Sequence, residues 1–420
     1  MTRPTRSRAA TDVGRRAAPR PAVAERERGR LIAAHEAAAT FFADQLTAPA
    51  AASPREYLIR RGLRDILPSS RQPFDPITNR TGTTPLTLSS GTASWHIGYA
   101  PPTWTALTDH LRAAGFTDHE LLTAGLTQTT RRETLVDRFR DRLTFGIRDR
   151  SGDLVGFIGR AAPNTSAAVP KYLNSPRTPT YDKGAVLFGL AEQHRQLASG
   201  AIPVLVEGPL DALAVDLTNA PGRPRLAGVA PCGTALTEHQ VQELAQVTRG
   251  PVLVAFDSDT AGDRAAAHAH NHLSAAFSDL RAVRTPPNTD PAELLEITGP
   301  SNLRRILSRT QPLMDRIVND VLRRYDDRLD NAEARISALR ELAPVIAQAF
   351  AGPHTPDRAR QAAELTSRLD LDHATVTREL IAATTHTGDR GQETSTARRR
   401  RELSTVPPQR RTTSGGLRID

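Results

Sequence analysis

The sequence predicts an α/β protein with a mixed α/β N-terminal lobe, a parallel-sheet domain and a C-terminal helical segment. Three observations predict it. Pro203-Val-Leu-Val206 and Pro251-Val-Leu-Val-Ala-Phe256 are short, apolar, β-branched runs, each followed by a helical pattern. That alternation marks βα units of a parallel sheet. Upstream, Leu143–Ile147 and Leu154–Ile158 flank Ser151-Gly152, which predicts an antiparallel hairpin. Downstream, from 301 to 385, the periodicity is helical, including Ile336–Phe350 and Ala359–Leu369.

The elements follow in order. Residues 1–30 carry nine arginines against Asp12, Glu25 and Glu27, and read as a disordered basic arm. Residues 31–200 form the N-terminal lobe, opening with a helix from Leu31 to Leu46 and a second one leading to Gly62. Within it, 67–94 is rich in Ser, Thr, Pro and Gly and reads as an inserted loop. Trp95 and Trp104 offer rings on which bases stack, but core packing is the expected role of both. The parallel sheet occupies 201–285 and the helical segment 286–385. Residues 386–420 read as a basic tail, with Arg398 to Arg401 as an electrostatic hook for nucleic acid. The two ends hold the net charge of +9, so a high pI does not by itself mark a nucleic-acid-binding core. The segment 131–183 is the internal exception, with eleven Arg or Lys against six Asp or Glu.

Glu207 ends the first apolar run, and Asp257 and Asp259 end the second. Ligands of parallel sheets bind beyond the carboxyl ends of the strands. Asp alone there is an ordinary helix cap; Glu-Gly at one strand end and Asp-x-Asp-x-Ala-Gly at another point to a metal site. Hard oxygen donors suit Mg2+ (or Mn2+), which keeps room for phosphate oxygens and supports in-line phosphoryl transfer. The chain has two lysines, Lys171 and Lys183, both inside the basic segment. In a sequence that otherwise writes Arg, they suggest positions where a compact ammonium is needed against phosphate.

These residues carry a resemblance. Glu207-Gly208-x-x-Asp211, Cys232-Gly-Thr-Ala-Leu-Thr237 and Asp257-Ser-Asp-Thr-Ala-Gly262 resemble the TOPRIM domain of primases, topoisomerases and some nucleases. Phe145-Gly-Ile-Arg-Asp-Arg150, Gly156-Phe-Ile-Gly-Arg160, Pro170-Lys-Tyr-Leu-Asn-Ser-Pro176, Lys183-Gly184 and Leu187-Phe-Gly-Leu190 resemble the polymerase core of the DnaG-type bacterial primase. Fainter similarity at Tyr57–Leu63, Gly98–Pro101 and Asp137–Arg142 extends it from about residue 31 to about 380. The resemblance implies primer synthesis from nucleoside triphosphates on a single-stranded DNA template. It implies Glu207, Asp257 and Asp259 as catalytic metal ligands, with Glu207 a ligand or proton acceptor, and Asp290 as a further ligand. It implies Arg148, Arg160, Lys171, Asn174, Lys183 and Asp211 as nucleotide- or template-binding residues. Three departures stand out: Ala292 where a second Asp follows Asp290-Pro291, Gly146 where Pro is usual and Ile158 where Gly is usual. The first puts the outer metal site in doubt, and the other two are expected to disturb the hairpin.

Single Cys232 excludes a disulfide framework and a cysteine-rich zinc ribbon in this sequence, so no zinc is expected. The cysteine is expected to be a small buried loop residue. His268 and His272 share a helix face, but lack the further soft ligands of a metal site. No apolar run reaches membrane-spanning length and no signal peptide is legible, so a cytoplasmic protein is expected. No helicase-binding segment is legible either, and slow initiation is expected unless a replicative helicase or a zinc-bearing partner delivers the template. A TOPRIM nuclease uses the same carboxylates but leaves 145–190 unexplained. A topoisomerase needs a nucleophilic tyrosine, and Tyr172 and Tyr181 lie inside the primase-like motifs. A catalytically silent DNA-binding module of a mobile element is the remaining alternative.

Overall fold

The computed structural model describes residues 21–67, 95–162, 165, 168–233, 235–257, 259–287, 289–349 and 355–383. The expected insertion past residue 67, most of the N-terminal arm and the basic tail lie outside the described residues. The N-terminal lobe runs α1 (Pro21–Thr47), α2 (Ala52–Arg60), β1 (Ile97–Ala100), α3 (Ala106–Ala113), α4 (Asp118–Thr123), β2 (Thr127–Thr129), β3 (Leu135–Asp137), β4 (Arg142–Arg148), β5 (Leu154–Ala161) and β6 (Tyr172–Asn174). Strands β1, β4, β5 and β6 form an antiparallel sheet in the order β1-β4-β5-β6. Helix α1 packs Leu31, Ala34, Ala38 and Phe42 against Phe139 and Phe157 of this lobe. Phe42 and Phe157 meet edge to face at 5.3 Å, the arrangement their quadrupoles favour.

Two expectations are corrected here. The arm was bounded at residue 30, but α1 already starts at Pro21. Arg28 donates to Asp149 at 2.8 Å and Asp153 at 2.6 Å, beside the β4–β5 turn. Arg30 forks onto Glu120 and lies 4.5 Å from the centroid of the Phe116 ring. Charges that composition reads as solvated are tertiary partners, and proline suits a first helical turn. Secondly, Gly146 and Ile158 leave the hairpin intact. Residues Arg142 to Ile147 pair without interruption with Ala161 to Gly156, and the register shifts only between Ile147 and Arg148. Ile158 is a core residue.

The second unit comprises β7 (Leu187–Phe188), α5 (His194–Ala198), β8 (Ile202–Leu205), α6 (Pro209–Asp216), β9 (Leu226–Pro231), α7 (Glu238–Val247), β10 (Val252–Val254), α8 (Thr260–Leu273) and β11 (Leu280–Val283). It continues into α9 (Pro291–Leu307), β12 (Thr310–Pro312), α10 (Leu313–Tyr325), α11 (Ala332–Ala349), α12 (Thr355–Arg368) and a last helix over 373–383. The sheet order is β12-β11-β10-β8-β9-β7. Its four central strands are parallel, while β7 and β12 pair antiparallel at the edges. The sheet therefore draws its edges from outside the expected 201–285, in strands too short to leave a periodic signal. Alternation along the strands sorts the core: Val204, Val206, Leu253 and Ala255 pack with α6 and α9. Leu205, Val252, Val254 and Phe256 pack with α8, α10 and α11. From β8 the chain goes to β9 on one side and returns to β10 on the other. The boundary between β8 and β10 is thus the point where strand order reverses, the usual place for a ligand crevice.

Candidate active site

Register brings the acidic motifs together. Val254 pairs with Leu205, so the chain leaves β8 and β10 side by side, and Ala255 N–H donates to Leu205 O at 2.9 Å. Two residues on, Glu207 accepts the Asp257 backbone N–H on Oε1 at 3.1 Å. Asp259 caps α8 through Gly262 N–H at 2.7 Å, and Asp290 caps α9 through Glu293 N–H at 2.5 Å. The start of α9 is carried to this end of the sheet by Asp211. That buried carboxylate accepts Gly208 N–H at 3.1 Å on one oxygen and Ala292 N–H at 3.2 Å on the other.

The electrostatics record the crowding. Burial, then the charges of Glu207, Asp290 and Asp259, push the Asp257 carboxyl up to about 6. Glu207 is raised by desolvation of its carboxyl and by Asp259 and Asp290, against the Asp257 N–H and Lys171. Asp211 is raised by burial and by Asp290. Lys171 opposes the charge on both Glu207 and Asp257, which places its ammonium on the acidic side of the lobe.

The cations arrive on β5 and β6. Arg160 pairs in register with Tyr172. Its guanidinium lies 4.7 Å from the Tyr57 ring centroid and 5.8 Å from that of Tyr172. The Tyr172 hydroxyl stands 3.4 Å from the point where a Cβ on Gly208 would be. Lys171, exposed at the start of β6, has its ammonium 5.9 Å from the same ring. The two sheets thus meet where Tyr172 stands beside Gly208, with Lys171 and Arg160 flanking the Tyr172 ring.

Other expected site residues are placed differently. Asp211 is sealed in a double cap, so its carboxylate is a structural tie rather than a nucleotide contact. Arg148 is held by Glu36 at 3.1 Å, by His96 and by Gly152 O, lining a cleft of about 450 Å³ between the hairpin turn, residues 177–187 and α7. Asn174 donates to Cys232 O at 2.7 Å and its own carbonyl accepts from Arg138, so it bridges the lobes. Lys183 has an exposed side chain; its carbonyl accepts from Gln240 on α7. Trp95 is a core residue as expected, stacked on Phe188 at 5.2 Å and donating to Asp216. Trp104 is not: it is 63 % exposed, with Arg140 stacked on it at 4.5 Å. Arg138 and Arg142 of the same motif turn inward onto backbone carbonyls, so charge counting overstated the free cations of this segment. Cys232 is fully buried, as expected.

Sequence reasoning also missed Arg61, 3.9 Å from Asp290 and 3.2 Å from Glu296. Its only signal was the Tyr57–Leu63 run. Ala292, standing where the second carboxylate of that motif is usual, is buried in the first turn of α9.

Asp257, Glu207, Asp259 and Asp290 supply only hard oxygen donors, and the buried Asp257 Oδ1 has no hydrogen-bond partner. On donor chemistry they fit a divalent cation. Among the described residues no three His, Cys, Asp or Glu side chains enclose a metal position as they stand. Glu207, Asp259 and Asp290 each accept a backbone N–H on one oxygen.

The fold and site define a Toprim-type sheet joined to an antiparallel lobe. Residues 87–194 match the family model described as the DNA primase catalytic core, N-terminal domain, and 204–295 match the Toprim-like model. The DNA primase of Mycolicibacterium smegmatis is 34 % identical over 333 residues, covering 77 % of this chain and 47 % of that protein. The crystallised RNA polymerase domain of Mycobacterium tuberculosis primase DnaG is 31 % identical, covers 81 % of this chain and 99 % of its own, and superposes with a TM-score of 0.63. A DnaG primase catalytic domain bound to ssDNA is 28 % identical, with 83 % and 99 % covered and a TM-score of 0.61. The chain belongs to the DnaG-type bacterial DNA primase family. It spans about half the length of the curated relatives it matches. Among the described residues, no helix is long and apolar enough to cross a membrane.

Proposed function

We infer that the chain is a DNA primase, a nucleotidyltransferase that uses Mg2+ (or Mn2+) to join ribonucleotides into short primers on single-stranded DNA for replication. The observation that carries this reading is Lys171 acting on the Glu207 and Asp257 carboxylates, with Arg160 held against Tyr57 and Tyr172 next to it on the same sheet. A site with both charges accommodates a triphosphate and its metal together. Asp257 and Asp259 are the principal ligands, with Glu207 a ligand or the acceptor of the 3′-hydroxyl proton. A divalent cation held by these carboxylates would supply charge stabilisation for phosphoryl transfer, in which the 3′-hydroxyl oxygen bonds to the α-phosphorus as pyrophosphate leaves. Lys171 and Arg160 hold the triphosphate, and Tyr57 and Tyr172 fix the Arg160 guanidinium between their rings. The relative bound to ssDNA supports a single-stranded template. A helicase or a zinc-bearing partner would deliver it, and zinc would be absent from the purified chain by metal analysis.

Template contact extends to Trp104, whose exposed ring with Arg140 offers a stacking platform. Trp104→Ala is expected to weaken single-stranded DNA binding about tenfold, in line with about 1–3 kcal/mol per stacked base. The melting temperature should hold, because the ring packs on little else. Fluorescence anisotropy with a labelled oligonucleotide checks it, and unchanged affinity removes the platform. The primase reading itself is tested by incorporation of labelled ribonucleotides on single-stranded DNA. Lys171→Arg is expected to lower incorporation about tenfold although charge is kept, since a fork does not replace a compact ammonium. Equal rates for the parent and the Arg variant would show that charge alone is needed.

A further inference from the structure

Behind the acidic pair lies a buried arginine that neither the motifs nor the mechanism above uses. Arg316 sits on α10, in the helical segment, with only 6 % of its side chain exposed. Its Nε donates to Asp320 at 3.1 Å, one helical turn on, and Asp320 in turn holds Arg323. Its Nη2 lies 3.5 Å from Asp263 on α8 and donates to the carbonyl of Asp257 itself at 3.2 Å. Its Nη1 reaches the carbonyl of Phe256 at 3.5 Å. One guanidinium therefore spans the last residue of the β10 run, the acidic residue that follows it, and the first turn of the helix that Asp259 caps. Two carboxylates and two carbonyls surround it.

Such a group is an uneconomical way to gain stability. Buried ion pairs seldom repay their desolvation, and hydrophobic replacements are often neutral or better. A buried ion whose hydrogen bonds run to the backbone of a site instead serves to fix geometry. Here one of the two carbonyls it holds is that of Asp257, whose carboxylate is crowded by Glu207, Asp290 and Asp259. On the other side the Asp257 carbonyl packs against Gly262, so the peptide is clamped between Gly262 and Arg316.

We propose that Arg316 is a positioning residue for the metal-binding loop, through which the helical segment sets the affinity of Asp257 and Asp259 for a divalent cation. The inference rests on the metal-site reading above. Arg316 touches neither the cation nor nucleotide; it acts through the Asp257 peptide, and it brings a positive charge to the rear of a crowded carboxylate pair. A consequence is that α10 is part of the working site through the Asp257 peptide that it holds.

The test uses the full chain and Mn2+ alone, with binding read by electron paramagnetic resonance and independently by the Mn2+-induced rise in melting temperature. For Arg316→Met, the Mn2+ dissociation constant is expected to rise about tenfold, with single-stranded DNA affinity unchanged. In the incorporation assay the half-saturating Mn2+ concentration should move by the same factor, and saturating Mn2+ should recover most of the rate. Arg316→Lys should recover part of the affinity. Because a lone methionine takes the arginine away from Asp263 and leaves Asp320 to Arg323 alone, which threatens the fold, the double variant R316M/D320L, which also removes the Asp320 carboxylate, is measured alongside. A folded double variant with weakened Mn2+ binding supports the proposal. A folded variant, single or double, that binds Mn2+ like the parent overturns it, as does loss of DNA affinity in step with Mn2+ affinity. Failure of the parent to bind Mn2+ in an Asp257-dependent way would instead sink the metal-site reading, and the two failures are distinct.

Discussion

Asp257→Asn is expected to lower primer synthesis by about a thousandfold or more, while the metal-free protein becomes slightly more stable. The first effect follows from removing a charged oxygen donor at the centre of the proposed phosphoryl-transfer site, where a factor of a thousand is about 4 kcal/mol. The second follows from the crowding. Burial and three neighbouring carboxylates push Asp257 to about 6, above its unfolded value, so ionising it opposes folding. Its contribution is therefore most favourable below the unfolded value and is lost as pH rises through about 6. Discounted for partial exposure, the loss is about 1 kcal/mol, or about 2 °C of melting temperature for a chain of this size. Lys171 opposes this only in part, and Oδ1 of Asp257 has no hydrogen-bond partner to lose. The parent should thus lose stability between about pH 4 and 6.5 in chelator and recover it on adding Mg2+ at pH 7.5. Asp257→Asn should show a shallower slope and a smaller response to the cation. Thermal melts across pH, with and without Mg2+, check this beside the incorporation assay. An Asn variant that makes primers at the parent rate removes the metal site from the reading.

What was legible in the sequence was whatever repeats or clusters along the chain. The apolar runs before Glu207 and Asp257 are strands read with period two, and the hairpin around Ser151-Gly152 pairs as expected. The carboxylates were legible because strand ends in a parallel sheet converge by topology. What depended on a single long-range contact was not. Nothing local distinguishes Asp211, which binds two backbone N–H groups, from an acid that would face a nucleotide. Arg148 and Arg140 look alike as motif arginines, yet one is paired with Glu36 and the other lies on an exposed tryptophan. Trp95 and Trp104 were equivalent on paper, and only the packing of Phe188 and Asp216 separates them. The first turns of α1 are hidden in the sequence because a run of arginines has the composition of a solvated arm, while the acids that order Arg28 lie more than a hundred residues away.

Close approach of backbone to backbone is the other kind of information that composition hides, and Gly262 shows how much depends on it. A Cβ at this position would fall 2.1 Å from the Asp257 carbonyl oxygen and 3.0 Å from its carbon. Both obstacles are main chain, so no side-chain rotation relieves the clash. The loop must shift, and what shifts is the peptide that carries Asp257 and the N–H through which Gly262 engages Asp259. Gly262→Ala is therefore expected to reduce primer synthesis about a hundredfold, the scale of a displacement of about 1 Å in a reacting geometry. The fold should persist at a cost of about 1–3 kcal/mol, as for other overpacked sites. Gly29, in the middle of α1 with nothing within 4 Å of its would-be Cβ, supplies the contrast. There alanine should raise stability by up to about 1 kcal/mol through helix propensity alone and leave synthesis unchanged. Measuring both variants for melting temperature and incorporation separates the two meanings of glycine. If Gly262→Ala keeps the parent rate, the Asp257 loop is not under the constraint described, and the rigid presentation of Asp257 and Asp259 fails with it.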